Sequence, residues 1–398
     1  MILPRSQPIL KIYAPIQVRI KYFELCIPGF FPNTKYEIQN SICMATLTET
    51  AYYSRKIIKF GSLGLVAFII LRGLFLTFTA YWKKIHPPPP PPPTVAFGKL
   101  PKIIFPERPN LPALSYKLET ISGTLPTIPT QAKVFFIPQP STNLLAWDRA
   151  KAWARSLGFT QEPEATDKFT YRFTTEGTSR TTLEVDVLTR NFTLNYDWQN
   201  DLEILSRGSP PQENQAISLA KSFLQSAEVL TTDLNQGTTE VTYLKYNHGN
   251  LIKALYFSEA NFTRVDFFRE EIDKIKVLPP SPKEANVSVI LSGDSRQNRG
   301  IIQVKYLHFP ISLENFATYP LKNINTAWTE LTQGKGFVAN LGNNPSGQIT
   351  IRNAYLAYYD PDSPQNFLQP VIVFEGDNDF FAYVPAITAN WQEQETPK

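Results

Sequence analysis

Between Phe60 and Trp82 the chain is apolar almost without interruption, and Arg72 is the one charged residue in the run. A helix of about 20 apolar residues crosses the roughly 30 Å hydrocarbon core of a bilayer. Tyr81 and Trp82 fall where interfacial aromatics belong, Arg55, Lys56 and Lys59 flank one end, and Lys83 and Lys84 flank the other. The run is long for a cleaved signal peptide, and Phe78-Thr79-Ala80 puts a large ring where a cleavage site needs a small residue. The expectation is an uncleaved signal anchor over 60–82. The balance of flanking charge leans to a cytoplasmic N-terminus, with the rest of the chain outside the plasma membrane.

Arg72 asks for an explanation. An arginine at mid-membrane costs about 2.5–3.5 kcal/mol on insertion scales. It either snorkels along the helix or contacts an acidic or polar group on a partner's membrane helix. Both readings stay open.

The only methionines are Met1 and Met44, and both cysteines, Cys26 and Cys43, precede the second of them. Residues 1–43 show no sustained helical or strand period. The expectation is that Met44 starts the native chain, that residues 1–43 are an upstream extension or disordered tail, and that 44–59 form a short basic head. After the span, His86 leads into seven prolines, Pro87–Pro93, and proline recurs at Pro101, Pro106, Pro109 and Pro112. A seven-proline run adopts polyproline II and reaches about 20 Å. Residues 83–113 therefore read as a stiff stalk, or as a ligand for a polyproline-binding module.

From residue 114 the pattern changes to amphipathic helices alternating with strand runs. One helix follows Ser141-Thr142 and sets Leu144, Trp147, Ala150, Ala154 and Leu157 on one stripe before Gly158. A second follows Pro210-Pro211, with Ala216, Leu219, Ala220, Phe223 and Ala227 sharing its buried face. A third starts at Asn325, with Trp328 and Leu331 inward and Gly334 as its stop. Strand runs follow each: 168–175, 181–188 and 191–198, then 240–246 and 251–257 about an Asn247-His248-Gly249-Asn250 turn, then 348–358, 369–375 and 380–385. This predicts an α+β class, antiparallel sheets with about three helices packed on them. The Pro/Gly/Ser-rich stretch 206–211 suggests a division into subdomains 114–208 and 209–391, with a tail over 392–398.

Charge divides along the chain: residues 1–113 carry a net +10 and residues 114–398 a net −6. A mildly acidic folded part is not built to hold nucleic acid, which asks for a basic face. With both cysteines ahead of Met44, the folded part has no thiol nucleophile, disulfide or Cys-zinc site. Its histidines are His248 and His308, with His86 in the proline stretch; no His-Glu-x-x-His, Gly-x-Ser-x-Gly or Walker motif occurs. Asp377-Asn378-Asp379 and Asp360-Pro361-Asp362 have calcium-ligand residue types but sit where turns belong. Glu270, Glu271 and Asp273 read as a solvated edge. The aromatics from Tyr355 to Tyr383 read as core pairs ahead of a sugar-binding face. No catalytic, cofactor or metal residue is expected; Arg72 alone is a candidate contact, toward a membrane partner.

Ile324-Asn325-Thr326-Ala327-Trp328, then Ala357-Tyr358-Tyr359, then Pro370-Val371 and a closing aromatic strand at Tyr383-Val384-Pro385, together resemble the C-terminal pattern of the YycH/YycI-type regulators. The helix-then-hairpin unit also resembles PepSY-like domains. The likeness covers about 65 residues of the chain. It implies one N-terminal membrane helix carrying an extracytoplasmic α+β domain. It also implies a non-enzymatic role in modulating a sensor histidine kinase through membrane and extracytoplasmic contacts. The alternative is an anchored envelope enzyme or glycan-binding module.

Overall fold

The structure is a computed structural model that describes residues 47–86, 91–140, 145–175, 180–206, 208–294, 296 and 299–393. The expectations for residues 1–43, the Ser141-Thr142 cap and the turn at Glu176-Gly177 lie outside the described residues. The chain separates into two compact units, one up to Pro90 and one from Pro91 onward.

The first unit is a single helix, α1, Leu47–Ile85. At 1.5 Å per residue its 39 residues extend about 58 Å, well beyond the 60–82 window. The extension toward Leu47 follows from a segment without glycine or proline, and Pro87 forbids continuation. Apolar side chains face outward all around it, Phe68 and Leu71 on one turn and Phe75 and Phe78 on the next. Such a helix is long and apolar enough to cross a membrane. Its hydroxyls bond back to carbonyls one turn earlier: Ser62 Oγ to Lys59 O at 3.0 Å, Thr77 Oγ1 to Leu74 O at 2.9 Å and Thr79 Oγ1 to Leu76 O at 3.0 Å. That leaves no hydroxyl hydrogen unsatisfied in hydrocarbon.

The second unit is α+β. Its largest element is a nine-stranded antiparallel sheet. In spatial order its strands are Glu164–Ala165, Thr170–Thr174, Thr181–Asp186, Phe192–Tyr196, Ile301–Tyr306, Val287–Ser292, Phe262–Phe267, Thr239–Asn247 and Asn250–Lys253. Strand residues alternate faces, so Leu183, Val185, Leu194, Val265, Val289 and Val304 line one side. Helices α2 (Ala146–Ser156) and α3 (Glu213–Ser226) cover that side. Alanines Ala216 and Ala220 let α3 approach the sheet closely, and Trp153 Nε1 on α2 donates to Ala227 O at 2.8 Å.

The helix stripes differ in detail from expectation. Leu219 is 47% exposed and Leu224 takes its place in the core, because the buried seam of α3 runs 216–220–224. On α2 the buried bulky residue is Trp153. The turn 247–250 forms as expected, with His248 and Gly249 both at positive φ, as a two-residue hairpin loop requires.

A one-turn helix, α4 (Thr232–Gln236), follows α3. Then α5 (Ile324–Thr332), capped by the Asn323 side chain on the Asn325 amide, lies against a second sheet. That sheet orders Ser115–Leu118, Gln348–Tyr359, Pro370–Gly376, Phe380–Pro385 and Phe337–Asn340. It is mixed: Ser115–Leu118 and Val277–Leu278 both run parallel to Gln348–Tyr359. A three-stranded sheet of Ser312–Pro320, Gln131–Phe136 and Phe367–Leu368 completes the unit.

Two of the expected boundaries are crossed by these pairings. Phe192–Tyr196 pairs with Ile301–Tyr306 from Tyr306↔Phe192 to Gln303↔Asn195, so one sheet spans the suggested division at 206–211. The second half of the expected stalk is packed. Leu100 is wholly buried, its amide donates to Trp391 O at 2.8 Å, and its carbonyl accepts from the Glu393 amide at 2.8 Å. Between the prolines of 94–112 lie Val95, Phe97, Leu100, Ile103 and Phe105, which have apolar surface to bury in the cores of the unit.

Candidate functional site

Helix α4 and three loops deliver charge to one point between the large sheet and the C-terminal sheet. Asp233 comes from α4, Arg269 follows Phe262–Phe267, His308 follows Ile301–Tyr306, and Asp360 follows Gln348–Tyr359. Arg269 is the hub, with its side chain 3% exposed. Its Nε donates to Asp360 Oδ1 at 2.9 Å, Nη1 to Asp233 Oδ2 at 2.6 Å, and Nη2 to Phe309 O at 2.7 Å. Asn286 Nδ2 holds Asp360 from the other side, donating to its backbone carbonyl at 3.0 Å and to Oδ2 at 3.2 Å. The backbone fixes α4 in place: Glu270 N donates to Asp233 O at 2.9 Å. A Cβ on Gly237, at the end of α4, would lie 1.9 Å from Phe268 O, so only glycine permits this approach.

Burial by itself would raise the Asp233 carboxyl. The hydrogen bond and charge of His308, the Arg269 guanidinium and the Thr231 hydroxyl outweigh it and hold Asp233 well below the usual carboxylate range. Beneath the cluster Tyr306 donates to Val229 O at 2.8 Å, and burial pushes its phenol up.

Among the described residues His308 is not part of a Ser-His-Asp relay. One ring nitrogen, Nε2, makes all three side-chain contacts: Arg269 Nη1 at 2.9 Å, Asp233 Oδ2 at 2.9 Å and Thr231 Oγ1 at 3.3 Å. A Ser-His-Asp relay needs the orienting carboxylate on one ring nitrogen and the nucleophile on the other. The geometry is that of a clamp tying α4 and two sheets together, with one guanidinium shared between two carboxylates.

A cleft of about 530 Å³ opens beside the clamp. Phe135, Ile272, Ile311 and Leu313 supply apolar wall, and the clamp's Asp233, Arg269 and His308 form part of the lining. Lys133 sits at the rim, paired with Asp273 at 2.9 Å and lying 4.4 Å over the Phe316 ring. This has the composition of a binding cleft, with apolar walls and a few fixed polar groups.

Arg72 lies on α1, outward-facing like its neighbours, and among the described residues no acidic side chain meets it. Glu270, Glu271 and Asp273 are exposed at the cleft rim. Asp377-Asn378-Asp379 makes the turn between its two strands, with Asn378 and Asp379 at positive φ and Asp377 bonded by Arg352 at 2.7 Å. Asp360 departs from its turn reading, being buried in the clamp. Tyr358, Tyr359, Phe374, Phe380 and Tyr383 are all core. Arg269 and Asp233 were not legible in the sequence. The one local signal is an arginine directly after the apolar pair Phe267-Phe268. No family model matches the chain, and no curated protein matches it either.

Proposed function

We propose that the chain is a single-pass, membrane-anchored protein. Its folded unit lies outside the plasma membrane and binds or regulates another envelope protein, as an accessory to a sensor kinase, without chemistry of its own. The observation that carries this reading is α1, a helix long and apolar enough to cross a membrane, with exposed apolar side chains around its whole circumference. The charges Arg55, Lys56 and Lys59 ahead of Lys83 and Lys84 favour a cytoplasmic N-terminus. The stretch resembling the YycH/YycI-type regulators folds as α5 followed by four antiparallel strands of one sheet, which suits that family's role. Arg72 then has a function as a contact for a polar group on the partner's membrane helix.

The folded unit also offers a protein-binding surface. After the edge strand Asn250–Lys253, Leu255 and Tyr256 are 81% and 67% exposed. Adjacent exposed apolar side chains at a sheet edge are what a partner covers. Crosslinking in intact cells followed by mass spectrometry tests this. A reproducible membrane partner, lost with Arg72→Leu or with Leu255→Asp/Tyr256→Asp, is the expected result. Recovery on isolated wall polymer with no protein partner would reject it.

A further inference from the structure

The face of the nine-stranded sheet turned away from α2 and α3 carries a second cleft, of about 550 Å³. Three neighbouring strands place Thr182, Asn195 and Gln303 in one cross-strand row, through the register pairs Thr182↔Asn195 and Gln303↔Asn195. Directly paired residues point to the same face. Their sequence neighbours Leu183, Leu194 and Val304 belong to the opposite, helix-covered core. The row faces solvent, with Gln303 exposed and Thr182 and Asn195 half-buried.

The amides are held in a defined state. Gln303 Nε2 donates to Asn195 Oδ1 at 2.7 Å. That bond uses one end of each amide and leaves Asn195 Nδ2 as a donor beside Gln303 Oε1 as an acceptor. Next to them stands Trp198, half-buried, its ring pinned edge-on by Tyr246 at 5.7 Å and Phe262 at 5.6 Å. Gln199 Nε2 donates to Gly249 O at 3.0 Å and ties the Trp198 turn to the 247–250 hairpin. Ile290, paired directly with Gln303, lines the same cleft together with Ile302 and Leu251. The cleft's charges are one of each sign, Arg180 and Asp197.

We infer that this cleft is a binding site for a neutral oligosaccharide. An adjacent donor and acceptor match two vicinal hydroxyls, one accepting from Asn195 Nδ2 while its neighbour donates to Gln303 Oε1. A trans amide presents its N–H and C=O in opposite directions and cannot use both at once, which disfavours a peptide backbone or acetamido group here. A rigid indole supplies the apolar face on which a pyranose ring lies. Balanced charge gives no pull on an acidic or basic ligand. The volume is within the roughly 300–1,000 Å³ of small-ligand clefts. The cleft shares Asn250 and Leu251 with the edge strand next to the protein-binding surface proposed above but does not include Leu255 or Tyr256, so substitutions at Asn195 and Gln303 and at Leu255 and Tyr256 let either reading fail alone.

The test uses the full chain in lipid nanodiscs, titrated calorimetrically with a neutral glucose oligomer and, as comparison, an N-acetylglucosamine oligomer, an acidic uronate oligomer and an extended neutral peptide. Expected is saturable binding of the neutral glucose oligomer, weakened tenfold or more by Asn195→Ala/Gln303→Ala. Both side chains lie on the sheet face away from the helix-packed core, so that variant keeps its thermal transition; Trp198→Phe, which preserves packing on Phe262, weakens binding several-fold. No binding of the neutral oligomer, preferred binding of the peptide or uronate, or binding indifferent to Asn195→Ala/Gln303→Ala would overturn the inference.

Discussion

Replacing Arg269 with methionine removes one charge and leaves two behind. Asp233 and Asp360 then face a site from which their shared cation has gone, and Phe309 O loses its 2.7 Å donor. Breaking a buried ion pair from one side costs about 3–5 kcal/mol, because the remaining carboxylates stay desolvated. Asp233 is a third exposed and recovers part of its hydration, so the lower half of that range applies to its share. The orphaned carbonyl adds about 1–3 kcal/mol. The net expectation is a loss of about 4 kcal/mol, which lowers the thermal midpoint of a unit this size by about 8 °C. The companion variant Arg269→Met/Asp233→Asn/Asp360→Asn removes the stranded charges and recovers at least half of the loss. Thermal unfolding of the full chain in detergent, followed by near-UV circular dichroism, reads both. A loss below about 1 kcal/mol in the single variant, or no recovery in the triple, would refute the clamp as two carboxylates held by one shared cation.

The same cluster fixes an acid limb. The Asp233 carboxyl is held below its unfolded value, so its stabilisation is complete above the unfolded value and drains away as pH falls through the folded one. Thermal stability therefore holds from pH 7 to pH 5 and falls below about pH 4, and Asp233→Asn flattens that fall. Gly237→Ala forces a methyl group against Phe268 O and lowers stability by about 1–3 kcal/mol, measurable as a shift in the denaturant midpoint. Leu100→Ala, in a stretch that reads as linker, costs about 2–5 kcal/mol by the same assay, whereas a solvated stalk would give no change. Leu255→Asp/Tyr256→Asp leaves the thermal transition in place and removes the crosslinked partner.

Local patterns carried much of the fold. The apolar run at 60–82, the alanine spacing at Ala216 and Ala220, the Gly249 turn and the strands from Gln348 to Pro385 each announce themselves within a dozen residues. What escaped is nonlocal. The pairing of Asn195 with Gln303 joins residues 108 apart, and nothing near either names the other. Proline at Pro93, Pro101 and Pro106 outweighed Leu100 and Ile103 between them, although it is those two that are packed in the cores. The clamp is the extreme case. Asp233 lies on α4 and Arg269, His308 and Asp360 in three separate loops, and an aspartate before Pro361 looks the same whether it makes a turn or pairs with an arginine 91 residues away.

Anchoring and sidedness together test the central claim most directly. Membranes from cells producing the full chain are washed with alkaline carbonate, and intact cells stripped of wall are treated with external protease, with a cytosolic protein followed in parallel. The account predicts that the chain stays in the washed membrane pellet and that the unit from Pro91 onward is cleaved while the cytosolic protein survives. Release by carbonate, or protection of the folded unit until the cells are lysed, would contradict it.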